Sequence, residues 1–202
     1  MLQLVINKHF GEVREPYMEI AQELLSSCYY MKDLISNLLF YNKITTQSLS
    51  YSEILFSELI NKSAKEMKAL FEEKNQAIKI SNKIKKEKNI QADKLFLKRT
   101  IYNLITNAIN YSFKNSEIEI IVSQTAKTTT CLIKSCGNLM SDELLENIFN
   151  YGVCGTKSIG NGIGLCIVKQ VIDAHCGNIE ARVENQKYNI FEFTIPNTKI
   201  IK

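Results

Sequence analysis

Three asparagines, Asn103, Asn107 and Asn110, stand at i, i+4 and i+7 in the segment Asn103-Leu-Ile-Thr-Asn107-Ala-Ile-Asn110-Tyr111. On a helix that spacing sets three carboxamides in one stripe. Leu97, Ile101, Leu104, Ile105 and Ala108 then fall on the opposite side. Asn is a mediocre helix former, so propensity does not account for the stripe. Carboxamide oxygens suit Mg2+, a hard cation that keeps several waters and takes most other oxygens from phosphates. A polar surface stripe is the alternative reading. Further along, Gly160-Asn-Gly162-Ile-Gly164-Leu165 runs straight into a helical pattern. Glycines let a backbone approach closely, and a helix N-terminus offers unpaired N–H groups to an anion. The spacing is GxGxG, neither the dinucleotide-binding GxGxxG nor the P-loop GxxxxGK[ST], and a surface loop is the alternative. A third segment, Ser135-Cys136-Gly137-Asn138, reads only as a turn at a strand end.

The elements that must position these residues follow from periodicity. Asp93 begins a helix through about Tyr111. Ser116 to Ser123 alternates as a strand with Ile118, Ile120 and Val122 on one face, and Thr128 to Lys134 alternates as a second, joined through a hairpin-like Gln124 to Lys127. Asp142 to Phe149 reads as a short helix, Ile163 to His175 as a longer one, and Gly177 to Glu184 and Tyr188 to Thr194 as closing strands. Upstream, Ser48 to Glu53 is extended, Ile54 to Lys74 is one amphipathic helix, Gln76 to Ile80 is a short strand and Lys83 to Lys88 is a solvated loop. This order implies an α+β fold, a two-layer sandwich with helices on one face of a mixed sheet.

Ahead of it, Tyr17, Ala21, Leu24, Cys28, Met31, Ile35 and Leu38 repeat in steps of four and three, the a/d seam of a helical hairpin or coiled coil. Ile20, Leu25, Leu34 and Leu39 widen that face, so the helix calls for several neighbours, as in a four-helix bundle. Residues 1–8, before a turn at Gly11, supply only a stub of partner helix. The expected division is a helical segment at 1–46 and an α/β domain at 47–202.

Composition narrows the class. The 202 residues are 45% hydrophobic and 23% charged, which excludes a disordered or low-complexity chain. A net charge of +4 is too weak to argue for nucleic acid. Six cysteines without a CxxC pair, and two histidines, do not form a zinc pattern. No apolar run reaches membrane-span length and no secretory leader pattern opens the chain, so a reduced, cytoplasmic protein is expected.

Taken together the segments resemble the ATP-binding domain of sensor histidine kinases, within the ATPase superfamily shared with gyrase, Hsp90 and MutL. Asn103-Leu-Ile-Thr-Asn107-Ala resembles the family's N box, Phe149 its F box, and Gly160, Gly162 and Gly164 its second glycine box. Asp173-Ala-His175-Cys-Gly177-Asn-Ile179 is similar to the His-Gly-Gly-x-Ile that follows, where the histidine is structural. Leu24 to Ile44 resembles the second helix of the dimerisation and phosphoacceptor hairpin. The resemblance implies ATP and Mg2+ as cofactors, with Asn107 coordinating Mg2+ and Asn103 beside it near the phosphates. Gly160, Gly162, Gly164 and Leu165 would cradle phosphates, Tyr111 would border adenine or ribose, and residues 138–161 would form a mobile lid from which Lys157 reaches the γ-phosphate. Asn110 stands where many members carry a phosphate-touching lysine.

Two departures accompany the resemblance. The family's Asp-x-Gly-x-Gly, whose aspartate accepts a hydrogen bond from the adenine amino group, is here Ser135-Cys-Gly137-Asn-Leu139. Losing a charge-assisted hydrogen bond costs about 1.5–3 kcal/mol, so weakened ATP binding is expected. The phosphoacceptor pattern His-[Asp/Glu]-Leu-[Arg/Lys]-Thr-Pro does not occur in the 202 residues, and His9, before Phe10-Gly11, matches no part of it. The expectation is a kinase core cut after its acceptor, transferring the γ-phosphoryl group to a histidine on a partner chain or missing segment, homodimeric through helix 17–44 and working with a response regulator. A non-catalytic nucleotide-binding and dimerisation module that regulates a kinase or response regulator is the alternative. A relative that phosphorylates serine on a binding partner is a third reading, against which the dimerisation-type helix argues.

Overall fold

The computed structural model of the chain describes Ile6 and residues 15–153 and 162–199. The chain divides into two compact units, Met1–Lys43 and Ile44–Lys202. The first contains most of helix α1, Glu15–Thr46. Pro16 lies in its first turn, where proline's missing N–H is harmless. Much of its apolar surface stays open: Leu24 is 51% exposed, Met31 52%, Ile35 57% and Leu39 65%. The stub expected at residues 1–8 lies outside the described residues apart from Ile6.

The second unit is a two-layer α+β sandwich. Its main sheet is β2 (Ala77–Asn82), β4 (Glu117–Gln124), β5 (Thr128–Cys136), β7 (Tyr188–Pro196) and β6 (Asn178–Glu184), in that spatial order. The β2–β4 pair is parallel and the rest are antiparallel. Alternation sends Ile118, Ile120 and Val122 of β4, and Thr129, Cys131, Ile133 and Ser135 of β5, to the buried face. Against that face pack α4 (Lys94–Tyr111), α6 (Gly164–Ala174) and α2 (Phe56–Glu66). Leu97, Ile101, Leu104 and Ile105 of α4 are completely buried.

Three local readings change. The single helix expected over Ile54 to Lys74 is two, α2 and α3 (Lys68–Glu73). Met67 interrupts them with φ −97° and ψ 5°, its N–H shared between the carbonyls of Ser63 and Ala64 at 3.2 Å each. The tightened turn leaves Met67 and Phe71 both buried. Secondly, a small strand at Ile90–Ala92, β3, pairs antiparallel with β1 at Ser52–Ile54. Thirdly, the Lys83 to Lys88 loop is tied down, because Glu87 accepts the Ser57 N–H at 2.8 Å and the Ser57 hydroxyl, closing the otherwise uncapped start of α2. The last helix of the set, α5, is short (Asp142–Asn147) and capped by the Ser141 hydroxyl.

Candidate functional site

The asparagine helix α4 is fixed at both ends. At its start Asp93 accepts the N–H groups of Leu95 and Phe96, the expected N-cap, and its other oxygen accepts the Ser50 N–H at 2.8 Å. The Asp93 N–H donates to Nε2 of His175 at 3.0 Å, while Nδ1 of His175 lies 2.7 Å from the Val171 carbonyl. Nε2 accepts from an amide, so the proton sits on Nδ1 and the imidazole is neutral. Burial pushes the His175 pKa down, and the bond to Val171 and the charge of Asp93 pull partly against it. His175 therefore joins the end of α6 to the cap of α4, the structural place read from the sequence.

The end of α4 has no basic residue in its last turn to meet the helix dipole. Lys74 and Gln76 supply the missing donors from outside. Lys74 Nζ donates to the Ile109 carbonyl at 3.0 Å, and the Gln76 amide donates to the carbonyls of Ile109, Ser112 and Phe113. Neither residue was legible as part of this arrangement, because each acts across more than thirty residues of sequence.

The stripe itself is not uniform. Asn103 is buried, which removes it from the polar-surface reading, and its amide donates to the Gly164 carbonyl at 3.0 Å. That bond ties the asparagine helix to the first residue of α6. Asn107, one turn further, is half-buried, and its carboxamide makes no hydrogen bond among the described residues. Asn110 is exposed, and its Oδ1 accepts from Lys74 Nζ at 3.2 Å. An ammonium thus stands beside Asn110, contributed by another element. Tyr111 is 37% exposed at the helix end.

The glycine helix meets Asn103 with an open start. Its N-cap residue is Ile163, without a side-chain cap, and the first intrahelical bond runs from the Ile167 N–H to the Ile163 carbonyl at 2.9 Å. The amides of Gly164, Leu165 and Cys166 precede that bond and have no carbonyl within the helix. Gly162 takes φ +67°, a left-handed conformation suited to glycine, and its carbonyl accepts the N–H of Gly152, itself at φ +76°, at 3.1 Å. Gly160 and Lys157 lie outside the described residues. The Phe149 ring packs edge-on against Phe191 with centroids 6.4 Å apart.

The first glycine segment closes the other side. Ser112 and Gly137 form a β-bridge, the Phe113 N–H donates to the Cys136 carbonyl at 2.9 Å, and any Cβ on Gly137 would run into the Tyr111 carbonyl. Gly137 is thus required for the end of β5 to touch the end of α4. Ser135 is buried on the helix-facing side of β5, and its hydroxyl makes no hydrogen bond among the described residues. Its cross-strand neighbour Asn189 is spent on the turn, accepting the Met140 N–H and donating to the Asn138 carbonyl. The corner where Asn103 ties α4 to α6 has an uncapped helix N-terminus, with a free carboxamide one turn further along α4 and a free hydroxyl near the end of β5 that bridges to α4's end. These groups suit a polar anionic ligand with an edge to hydrogen-bond. No cluster of three or more His, Cys, Asp or Glu side chains able to hold a metal occurs among the described residues. A divalent ion here would have to take most of its oxygens from the ligand and water, as Mg2+ does.

Comparison with known proteins gives the corner its context. The sensor protein KdpD of Clostridium acetobutylicum is 31% identical over 191 residues, 87% of this chain, although the chain spans only 20% of that protein's length. The catalytic domain of the histidine kinase ThkA superposes with a TM-score of 0.67 at 26% identity, covering 75% of this chain and 98% of that domain. ThkA in complex with the response regulator protein TrrA matches 98% of this chain and 58% of the ThkA chain, with a TM-score of 0.73 at 23% identity. Residues 92–199, from β3 to the end of the sheet and so including α4, the glycine helix and both closing strands, match the family described as histidine kinase-, DNA gyrase B- and HSP90-like ATPases. With the asparagine helix bonded to the glycine helix and the catalytic-domain fold of histidine kinases around them, the chain belongs to this ATPase family.

Proposed function

We propose that this chain is the ATP-binding catalytic core of a sensor histidine kinase, with Mg·ATP held where α4 meets α6. The observation that carries the reading is the Asn103–Gly164 bond at 3.0 Å. It supports a reading in which Asn107, one turn further along the same stripe, offers an oxygen for Mg2+ to a ligand whose phosphates meet the N–H groups at the uncapped start of α6. Asn103 acts as a positioning residue. Asn107 holds the ion, and Gly162, Gly164 and Leu165 present backbone to the phosphates, with Gly160 and Lys157 completing the set from residues 154–161. Tyr111 borders the ribose or base, Ser135 meets the base edge, and Asn110 with its Lys74 adds positive potential at the end of the stripe. Mg2+, when bound, neutralises charge on the phosphates. The chain itself orients and desolvates, which is most of what phosphoryl transfer asks of a protein.

The acceptor is a histidine on another chain or segment, and the exposed face of α1 packs in a homodimer, with a response regulator as downstream partner. The division into a helical segment at 1–46 and the ATPase domain at 47–202 belongs to the same reading. No helix among the described residues is long and apolar enough to cross a membrane. The reading is tested by incubating the purified chain with γ-labelled ATP, alone and with a helical hairpin bearing an acceptor histidine. Acid-labile phosphohistidine is expected on the hairpin and absent from this chain. Label on His9 or His175, or no transfer despite bound ATP, would contradict it. The second of those outcomes would favour a non-catalytic regulatory module, toward which the Ser135 replacement points.

A further inference from the structure

A second site lies between α2 and the first two turns of α4. A cavity of about 290 Å³ opens there, lined by Leu59, Lys62 and Ser63 of α2 and by Lys94, Leu95 and Lys98 of α4. We propose that this groove docks an acidic segment of a partner protein, one apolar side chain entering the cavity and flanking carboxylates meeting the lysines.

Three observations support this independently of the nucleotide site. The first is charge in an unfavourable place. Lys94 and Lys98 lie at the N-terminal end of α4, where the dipole repels cations, and no acidic residue stands in the first turn. Lys98 is paired with Glu66 at 2.7 Å, whereas Lys62 and Lys94 have no ion-pair partner among the described residues. The hydrogen bond from Lys98, and secondarily the charges of Lys98 and Lys62, hold the Glu66 carboxyl below the usual range, and that pairing answers one of the three lysines. The second is apolar surface. Leu59 forms a buried floor, and Leu95 is 54% exposed at the edge. The third is an orphan polar group. Ser63 lines the cavity, and its hydroxyl is buried without a hydrogen-bond partner. A donor left unpaired there carries its desolvation cost, and a peptide carbonyl or carboxylate in the groove becomes its acceptor once the Ser63 side chain turns toward it. Cations around an apolar floor with a buried donor complement an acidic peptide with one large apolar residue.

The test uses the whole chain and a fluorescein-labelled peptide of sequence Glu-Glu-Phe-Glu-Glu-Leu-Glu. Saturable binding is expected at roughly micromolar to submillimolar peptide, weakening as salt rises because the rim charges are screened. Amide shifts should concentrate at Leu59, Ser63, Leu95 and Lys98. Reversing Lys62→Glu together with Lys94→Glu should weaken binding about tenfold or more, while Lys169→Glu on α6 should leave it unchanged. No shift in the groove at millimolar peptide, or equal binding by the reversed variant, would overturn the proposal. Binding of phosphatidylglycerol vesicles but not peptide would overturn it too, since the lysines would then face a lipid surface. Alanine in place of both lysines guards against misfolding, because it should also weaken the peptide without altering the unfolding temperature.

Discussion

Helices α1 and α4 carry similar apolar faces and end in opposite situations. The α4 side chains Leu97, Ile101, Leu104 and Ile105 are completely buried against the sheet and α6, whereas Leu24, Met31, Ile35 and Leu39 of α1 remain half or more exposed. The sandwich buries the apolar face of α4, and what it leaves unmet at the corner with α6 is polar: the Asn107 carboxamide, the Ser135 hydroxyl and the first amides of α6. Unmet apolar surface calls for another protein, and unmet polar groups at a helix N-terminus call for a small charged ligand.

The largest expected effect separates the two helices directly. Leu104→Ala should destabilise the sandwich by about 3 kcal/mol through its cavity. Leu24→Ala should change the exchange protection of core amides by less than about 0.5 kcal/mol. Met31→Glu, in contrast, should turn a sedimenting dimer into monomer with the sandwich intact. An equal stability loss at positions 24 and 104, or a wild-type monomer at high concentration, would break the comparison.

The next effect concerns the unmet polar groups. Ser135→Asp should tighten ATP about tenfold, by restoring a charged acceptor, and leave GTP unchanged, so the ATP-over-GTP preference rises in calorimetry. Equal affinities before and after would mean that Ser135 does not face the base.

How much was legible in the sequence follows the same physical divide. Period-two and period-3.6 patterns report burial, so β4 with Ile118, Ile120 and Val122 and α4 with its Asp93 cap were readable to within a residue or two. The three-residue strand Ile90–Ala92 carries too little pattern to show a period, and the break at Met67 is a tertiary choice that propensity does not record. In the site, the asparagine and glycine spacing was visible. That Asn103 is a buried tie, that Gly137 admits the Tyr111 carbonyl, and that Lys74 and Gln76 finish α4 depend on contacts between distant segments.

A smaller effect tests how the closed unit is braced. His175 is neutral in the fold with its pKa below the ordinary value of 6.5. The unfolded chain therefore binds the proton more readily. The stability this histidine contributes is fully present above about pH 6.5 and is lost as pH falls through its folded pKa, when an Nε2–H would oppose the Asp93 N–H. Urea unfolding between pH 7.5 and 5 should show that loss, and His175→Gln should flatten it. The smallest effect is at Cys176, which occupies the left-handed region at φ +56° where α6 ends, a conformation that favours glycine. Cys176→Gly should raise stability by about 0.5 kcal/mol, the relief of left-handed strain offset by a more flexible unfolded chain. A loss on thermal unfolding would mean that the thiol makes a contact worth more than the strain.

In the proposed function the corner between α4 and α6 holds Mg·ATP through Asn107. Calorimetric titration of the whole chain with ATP, with and without Mg2+, tests it most directly when run beside Asn107→Ala. Saturable binding of the wild type is expected at tens of micromolar to millimolar ATP, strengthened by Mg2+. The variant should keep the wild-type unfolding temperature and lose the Mg2+ dependence. No heat at millimolar Mg·ATP, or an Asn107→Ala protein that binds with undiminished Mg2+ dependence, would contradict it.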